Sequence, residues 1–244
     1  MIKTEANGEG FDISIPEVSV TEERKPFVQK EGYLKLKQAG TARANEAASY
    51  EAPRGTVKGD YAYRHRHQTV LQQHIAFFDH DNDGTIWPLD TFHGFRDIGY
   101  SLAFSIFSMF IIHANFSYPT VSGILPDPFF RIFVARIHKD KHGSDSGSFD
   151  PEGRFQPQQF EDIFAKYASG DKQGITFIEI CKYINGRRVV FDFFGFFAAV
   201  FEWLATYILL WPADGRMKKE DIRGVYDGSL FYEISARRHK SKSS

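Results

Sequence analysis

From residue 98 to residue 126 the chain carries no Lys, Arg, Asp or Glu, a run of 29 positions between Asp97 and Asp127. Its first part, residues 100–116 (YSLAFSIFSMFIIHANF), would form a helix about 25 Å long at 1.5 Å per residue, short of a bilayer core of about 30 Å. Its second part leads into Pro119, Pro126 and Pro128. Proline removes a backbone donor and fixes φ, so this part cannot be a regular returning helix. Two readings stay open: a helix buried in a soluble core, or a segment that enters lipid and turns back at the prolines. In the second case an interface or monolayer satisfies the backbone more easily than a full span.

The composition sharpens the question. Phe accounts for 25 of 244 residues and aromatics for 16%, yet the mean hydropathy is −0.36, that of a soluble protein. The apolar residues are therefore concentrated. Thirty basic residues against 31 acidic ones, a net charge of −1, argue against general nucleic-acid binding. The single cysteine, Cys181, excludes an intrachain disulfide and fits a reducing, cytosol-facing compartment. It lies in an apolar helical pattern, IEICKYI. The first thirty residues carry acids throughout and no apolar run, which does not fit a signal peptide.

Residues 1–60 lack periodicity and are expected to be a flexible arm. From Val70, apolar residues at Val70, Leu71, Ile75 and Phe78 mark one helical face, and a second helix is expected from Pro88 through Ile98. A polar loop rich in Gly, Ser and Asp follows Arg131, and then a helix from Pro157 to Ala168. The apolar block at 189–211 is interrupted by Asp192 and Glu202, which favours a core or interfacial helix over a span. The basic tail, SARRHKSKSS, is a solvated end able to touch anionic headgroups. The expected divisions are 1–60, 61–97, 98–130 and 131–244.

The acidic loop DHDNDGTIWPLD, residues 79–90, has the most specific spacing in the chain. Asp79, Asp81 and Asp83 hold positions 1, 3 and 5, Gly84 allows the turn at position 6, and Thr85 offers its carbonyl at 7. A hard cation needs oxygens converging from a tightly turned backbone, so this is an EF-hand calcium loop between two helices. Position 12 is Asp90 where a bidentate Glu is usual, one methylene shorter, and Trp87 at position 9 brings no side-chain oxygen. Such loops work in pairs. The expected partner is FEDIFAKYASGDKQGITFIEICKYI, with Asp171, Gly174 and Glu179 but no acidic ladder. DGRMKKEDI, from Asp214, is a weaker echo.

Of nine histidines, His74 stands out on the apolar face just before the calcium loop. It is either a satisfied core histidine or a ligand to a transition metal or haem iron. His138 and His142 fall four apart, but no Glu accompanies them and Gly143 ends any helix, so a zinc hydrolase is disfavoured. There is no phosphate-cradling Gly loop and no G-x-S-x-G elbow.

These blocks, LQQHIAFFDHDNDGTIWPLDTFHGFRDIGYS, the uncharged segment with its prolines, IHKDKHGSDSGSFDPEGRF and DGSLFYEIS, resemble the caleosins in collinear order from about Val70 to Ile234. The resemblance implies a b-type haem peroxygenase of lipid droplets that also binds calcium. It would take oxygen from a fatty-acid hydroperoxide and pass it to an unsaturated fatty acid. It implies His74 and His142 as the haem-binding and catalytic histidines, with His138 third. One would be the proximal ligand and the other displaceable or a distal acid–base group. Calcium would fall to Asp79, Asp81, Asp83, Thr85 and Asp90. Since His74 precedes Asp79 by five residues, calcium loss is expected to loosen the haem pocket.

The fold class expected is mainly α: an EF-hand with a degenerate partner, a lipid-embedded helix and a proline-rich turn. The partners expected are a lipid-droplet monolayer or endoplasmic-reticulum membrane, with most of the chain facing the cytosol. Self-association is compatible with the sequence. A non-catalytic, calcium-responsive protein of the droplet surface is the alternative. A soluble calcium sensor would need a Met-rich groove, and the chain has three Met.

Overall fold

The structure is a computed structural model that describes residues 26–28 and 35–243. It is mainly helical, and two short antiparallel ribbons hold the helices in place. In chain order come α1 (Tyr61–Arg64), α2 (Val70–Ala76), β1 (Thr85–Ile86), α3 (Pro88–Ile98), α4 (Leu102–Thr120), β2 (Ile132–Phe133) and a 3-10 helix (Val134–Asp140). They are followed by α5 (Pro157–Tyr167), β3 (Gly174–Thr176), α6 (Phe177–Arg187), α7 (Phe193–Leu210), β4 (Arg216–Lys218), α8 (Lys219–Tyr226) and α9 (Ser229–Ser243).

Local chemistry explains the helix ends. Thr69 opens α2 with a capping box: its hydroxyl accepts from the Gln72 amide, while the Gln72 side chain accepts from the Thr69 amide. Pro88 sits in the first turn of α3, where its missing donor is harmless. Gly99, at φ +108°, lets the chain leave α3 and enter α4. Pro119 lies in the last turn of α4, and the helix ends at Thr120; residues 121–131 return irregularly.

The pairing of the loops corrects an expectation. The calcium-type loop does not pair with the loop after α5. Thr85 and Ile86 of β1 face Phe133 and Ile132 of β2, just beyond the proline-rich turn. The two weak echoes pair with each other instead, with Gly174, Ile175 and Thr176 facing Lys218, Met217 and Arg216. Two-residue and three-residue strands carry almost no sequence signal of their partners, so tertiary packing chooses them.

Two aromatic-rich clusters form the core. One gathers Val70, Phe155, Phe160, Phe164, Ile175, Tyr183, Trp203, Met217 and Ile222. The other gathers Phe77, Phe78, Phe95, Ile98, Tyr100, Ile132, Ile137, Ala205 and Phe231. Helix α2 bridges them, giving Val70 to the first and the Phe77–Phe78 pair just beyond its end to the second.

The expected flexible arm differs over residues 35–60, whereas most of its earlier part, 1–25 and 29–34, lies outside the described residues. Leu36, Ala47, Ala48 and Ser49 are buried. Ser49 donates to Glu220 at 2.5 Å, Thr56 donates to Asp227 at 2.6 Å, and the Val70 amide donates to the Ala44 carbonyl at 2.9 Å. Small and polar residues hold this strap through hydrogen bonds, so no apolar period announces it. Cys181 also departs from expectation. It is exposed on α6, because Glu179, Ile180 and Tyr183 take the inward face and leave it on the opposite side.

The apolar helices α4 and α7 are patterned inside out. Both are long and apolar enough to cross a membrane by length and composition, yet both pack one face on the body. The fully buried residues of α4 are Ser105, Ser108, His113, Ser117 and Thr120, while Leu102, Phe107, Phe110 and Tyr118 are exposed. Helix α7 buries Gly195, Ala198, Ala199, Trp203 and Ala205 and turns Phe193, Phe194, Phe197 and Leu204 outward. Of the readings left open by the sequence, a core helix is therefore excluded for the outer faces of both.

Candidate functional site

The acidic loop at 79–90 brings its first three carboxylates together. One carboxylate oxygen each from Asp79, Asp81 and Asp83 lies within 4.8 Å of the others. Asp79 fixes the turn by accepting from the Gly84 amide at 2.9 Å and the Asp83 amide at 3.2 Å. Gly84 takes φ +82°, which a side chain would resist. Burial raises the Asp79 carboxyl above its ordinary range, even though those two amides pull the other way. Thr85 lies in β1, its amide bonded to Asp83 at 2.7 Å. Asp90 caps α3, accepting from the Trp87 amide at 2.8 Å.

The second loop has no such set of free oxygens. Arg216 places its guanidinium 2.7 Å from Asp171. Glu179 accepts from the amide and hydroxyl of Thr176 at 2.8 and 2.9 Å. An arginine and a helix cap already satisfy the carboxylates that a cation would need.

Between the two core clusters lies a cavity of about 280 Å³. His74 and His142, 68 positions apart in the chain, both line it, with Ile75, Phe78, Ile112, Phe116, Phe201 and Tyr226 among the walls. His74 sits on α2. Its Nδ1 is 2.6 Å from the Val225 carbonyl, and a carbonyl can only accept, so Nδ1 carries the proton and Nε2 keeps its lone pair. Burial, the largest influence, lowers its pKa and favours the neutral ring. Gly228 permits this contact: a Cβ there would sit 2.6 Å from the Gln73 carbonyl and 3.1 Å from the His74 Cα.

His142 is in a different state. Its Nε2 lies 3.8 Å from Glu202, and its Nδ1 is buried without a hydrogen-bond partner among the described residues. Burial, the largest influence, would lower its pKa, but the Glu202, Asp145 and Asp192 carboxylates together more than offset this and raise it. His138, the third candidate, is half-buried on the 3-10 helix and does not line the cavity.

Sequence reasoning passed over two acids here. Asp140 lines the cavity with both oxygens buried and unpartnered among the described residues, and burial pushes its pKa up to about 8. Glu202 looked like an interruption of an apolar block but stands at the cavity beside His142. Asp192, the other interruption, caps α7 by accepting from the Gly195 amide at 2.9 Å and also takes the Ser144 hydroxyl at 2.7 Å. Only the polar block around His142 signalled this wall in the sequence.

His113 was also missed. From the buried face of α4 its Nε2 meets the Thr91 hydroxyl at 2.8 Å and its Nδ1 meets the Phe130 carbonyl at 2.6 Å. It thereby ties the proline-rich return loop to the helix leaving the calcium loop.

An acidic loop whose entering helix supplies an imidazole to an apolar cavity, beneath two outward-facing apolar helices, defines a mainly helical protein with a buried histidine site, consistent with membrane or lipid association. Residues 66–235 match the family described as Caleosin related protein, and the chain belongs to that family. It is 38% identical over 218 residues to "Peroxygenase" of Lilium longiflorum, covering 89% of each chain. It is 37% identical over 173 residues to "Probable peroxygenase 4" of Arabidopsis thaliana, covering 71% of this chain and 89% of the relative. A third relative, "Probable inactive peroxygenase-like protein" of Arabidopsis thaliana, is 30% identical over 154 residues, 62% of this chain and 72% of its own length. No solved structure matches the chain.

Proposed function

We propose that the chain is a haem-containing, calcium-dependent peroxygenase of lipid droplets. It transfers an oxygen atom from a fatty-acid hydroperoxide to an unsaturated fatty acid. The observation that carries this reading is the pair of imidazoles on one apolar cavity, one of them anchored through Nδ1 to a backbone carbonyl. That anchoring is how a metal-binding histidine is held, leaving the second nitrogen to the metal. The donor set suits haem b: a neutral ring with a free lone pair, a second ring with an unpartnered buried nitrogen, and aromatic walls.

Bound there, haem iron supplies peroxide activation, which a protein side chain cannot. His74 is the residue suited to hold it. His142 is suited to acid–base work instead: the Glu202 carboxylate 3.8 Å from its Nε2 favours the protonated ring, which can give a proton to a departing oxygen. The apolar walls contributed by α4 and α7 favour an acyl chain and exclude water.

Calcium at Asp79, Asp81, Asp83 and Thr85 would tighten the loop to which α2 leads, so chelation should act on His74 through that helix. The outward apolar faces of α4 and α7 and the family support a place on a droplet or endoplasmic-reticulum surface.

The test is turnover. Full-length protein reconstituted with haem should convert a polyunsaturated fatty-acid hydroperoxide to the alcohol and move its labelled oxygen into an added unsaturated fatty acid. Chelation of calcium should reduce the rate. Stoichiometric haem binding without oxygen transfer would leave a non-catalytic droplet-surface protein.

A further inference from the structure

We propose that the cavity opens toward lipid between α4 and α7, with α7 and the preceding elbow forming a second lipid-contacting element. Substrate then enters from the lipid phase and not from water. This rests on the reading of the cavity as a site for lipid-derived substrates, and the occupant of the outer face is a phospholipid-covered surface.

Three observations converge. First, the cavity lies between the two apolar helices: Ile112 and Phe116 of α4 and Phe194, Phe197 and Phe201 of α7 line it. Phe194 and Phe197 are also 45% and 47% exposed, so the same rings form the cavity wall and the outer surface, which makes them its lip. Phe194 stands edge-on to His142 with ring centres 6.3 Å apart, so a chain passing this lip arrives at the imidazole. Glu202, the acid at this mouth, is turned to His142.

Second, the outer face is apolar where water would favour the reverse. Val190, Phe191 and Phe193 are 69%, 85% and 79% exposed, and Trp211 at the far end of α7 is 74% exposed. Phe191 holds φ +67°, a backbone state costly for a bulky residue, while its ring projects from the body. Patches of this kind mark an apolar partner.

Third, the face is rimmed by cations, as a phosphate-bearing surface requires. Arg188 is exposed just before the elbow. Lys218, Arg237 and Arg238, against the one acid Asp221, share a groove with the start of α4 and with Ile208–Leu210 of α7.

The tryptophans provide the test without any need for turnover: Trp211 on the outer face, Trp203 in the cavity wall and Trp87 beside the calcium loop. The full chain is mixed with phosphatidylcholine–phosphatidylserine vesicles. With acyl chains brominated, the W87F protein should be quenched and W87F/W211F much less so. A brominated fatty acid dissolved in unlabelled vesicles should then quench Trp203 in W87F/W211F. Adding F191D/F193D should slow that quenching at least about tenfold, a factor that the lost burial of a single aromatic ring already supplies. Neither residue lines the cavity, so quenching by the same acid delivered in detergent micelles should be unchanged. Equal quenching of the two proteins by brominated lipid, or a Trp203 rate from vesicles indifferent to F191D/F193D, would overturn the proposal. Absence of peroxygenase turnover with quenching intact would instead overturn the proposed activity and leave the lipid entry standing.

Discussion

Each of the two ribbons of this molecule carries an acidic loop, and the carboxylates of the two loops are partnered in opposite ways. At β1 the loop carries three converging carboxylates, with only backbone amides against Asp79, so their oxygens stay open to a cation. At β3 the equivalent acid, Asp171, already has the Arg216 guanidinium at 2.7 Å. Behind β4, Lys219 is buried between Glu161 at 2.9 Å and Glu51 at 2.5 Å. One half of the molecule therefore leaves carboxylates open to a cation, and the other satisfies them with its own side chains. The cavity histidines divide along the same line. His74 stands on α2, which leads into the acidic loop of β1, while His142 takes its partner, Glu202, from α7 of the self-sufficient half.

The largest effect expected is in the self-neutralised half. Lys219→Met would leave Glu161 buried without its cation and should cost about 3–5 kcal/mol in denaturant unfolding. The Glu161 and Glu51 carboxylates outweigh burial and hold the Lys219 ammonium above its ordinary 10.5. Its contribution is thus present below that pH and lost as pH rises through the folded value, so the wild type should lose stability in alkali by a transition that Lys219→Met lacks.

Next comes Asp79→Ala, which removes both the first loop oxygen and the anchor of the Gly84 turn. Calcium binding followed by calorimetry should weaken at least about 100-fold, or 2.7 kcal/mol. Retained binding would show that the loop is not the calcium site.

A smaller gain is expected from Asp90→Glu, whose longer side chain can reach the ion in bidentate fashion. Affinity should rise roughly five- to tenfold, in line with the bidentate Glu usual at that position. Smallest of all is Arg216→Ala. Its pair with Asp171 is exposed and screened by solvent, so the denaturant midpoint should hardly move. New calcium binding at this loop should not appear either, because Glu179 remains committed to Thr176. If it did appear, the contrast between the halves would rest on Arg216 alone.

What could be read in the chain was what local spacing encodes. The convergence of the acidic ladder, the helices from Val70 and Pro88 and the proline-limited end of α4 all depend on neighbours within one or two turns. Choices made across distance stayed hidden. Thr85–Ile86 pairs with Ile132–Phe133, and nothing in two residues names that partner. Glu202 and Asp192 read as blemishes in an apolar block because sequence cannot show that one faces the cavity and the other caps the helix. Asp140 became visible only when its oxygens were found buried and unpartnered. The strap at 35–60 was missed because hydrogen bonds to α8 hold it, and those leave no period.

The central claim is that His74 and His142 serve one haem cavity in different roles. Its most direct measurement is the absorbance spectrum of the haem-reconstituted full chain beside His74→Ala and His142→Ala. The account predicts a stoichiometric Soret band in the wild type that is lost in His74→Ala and retained, with at most a shift, in His142→Ala. No specific band in the wild type, or a band indifferent to His74→Ala, would contradict it.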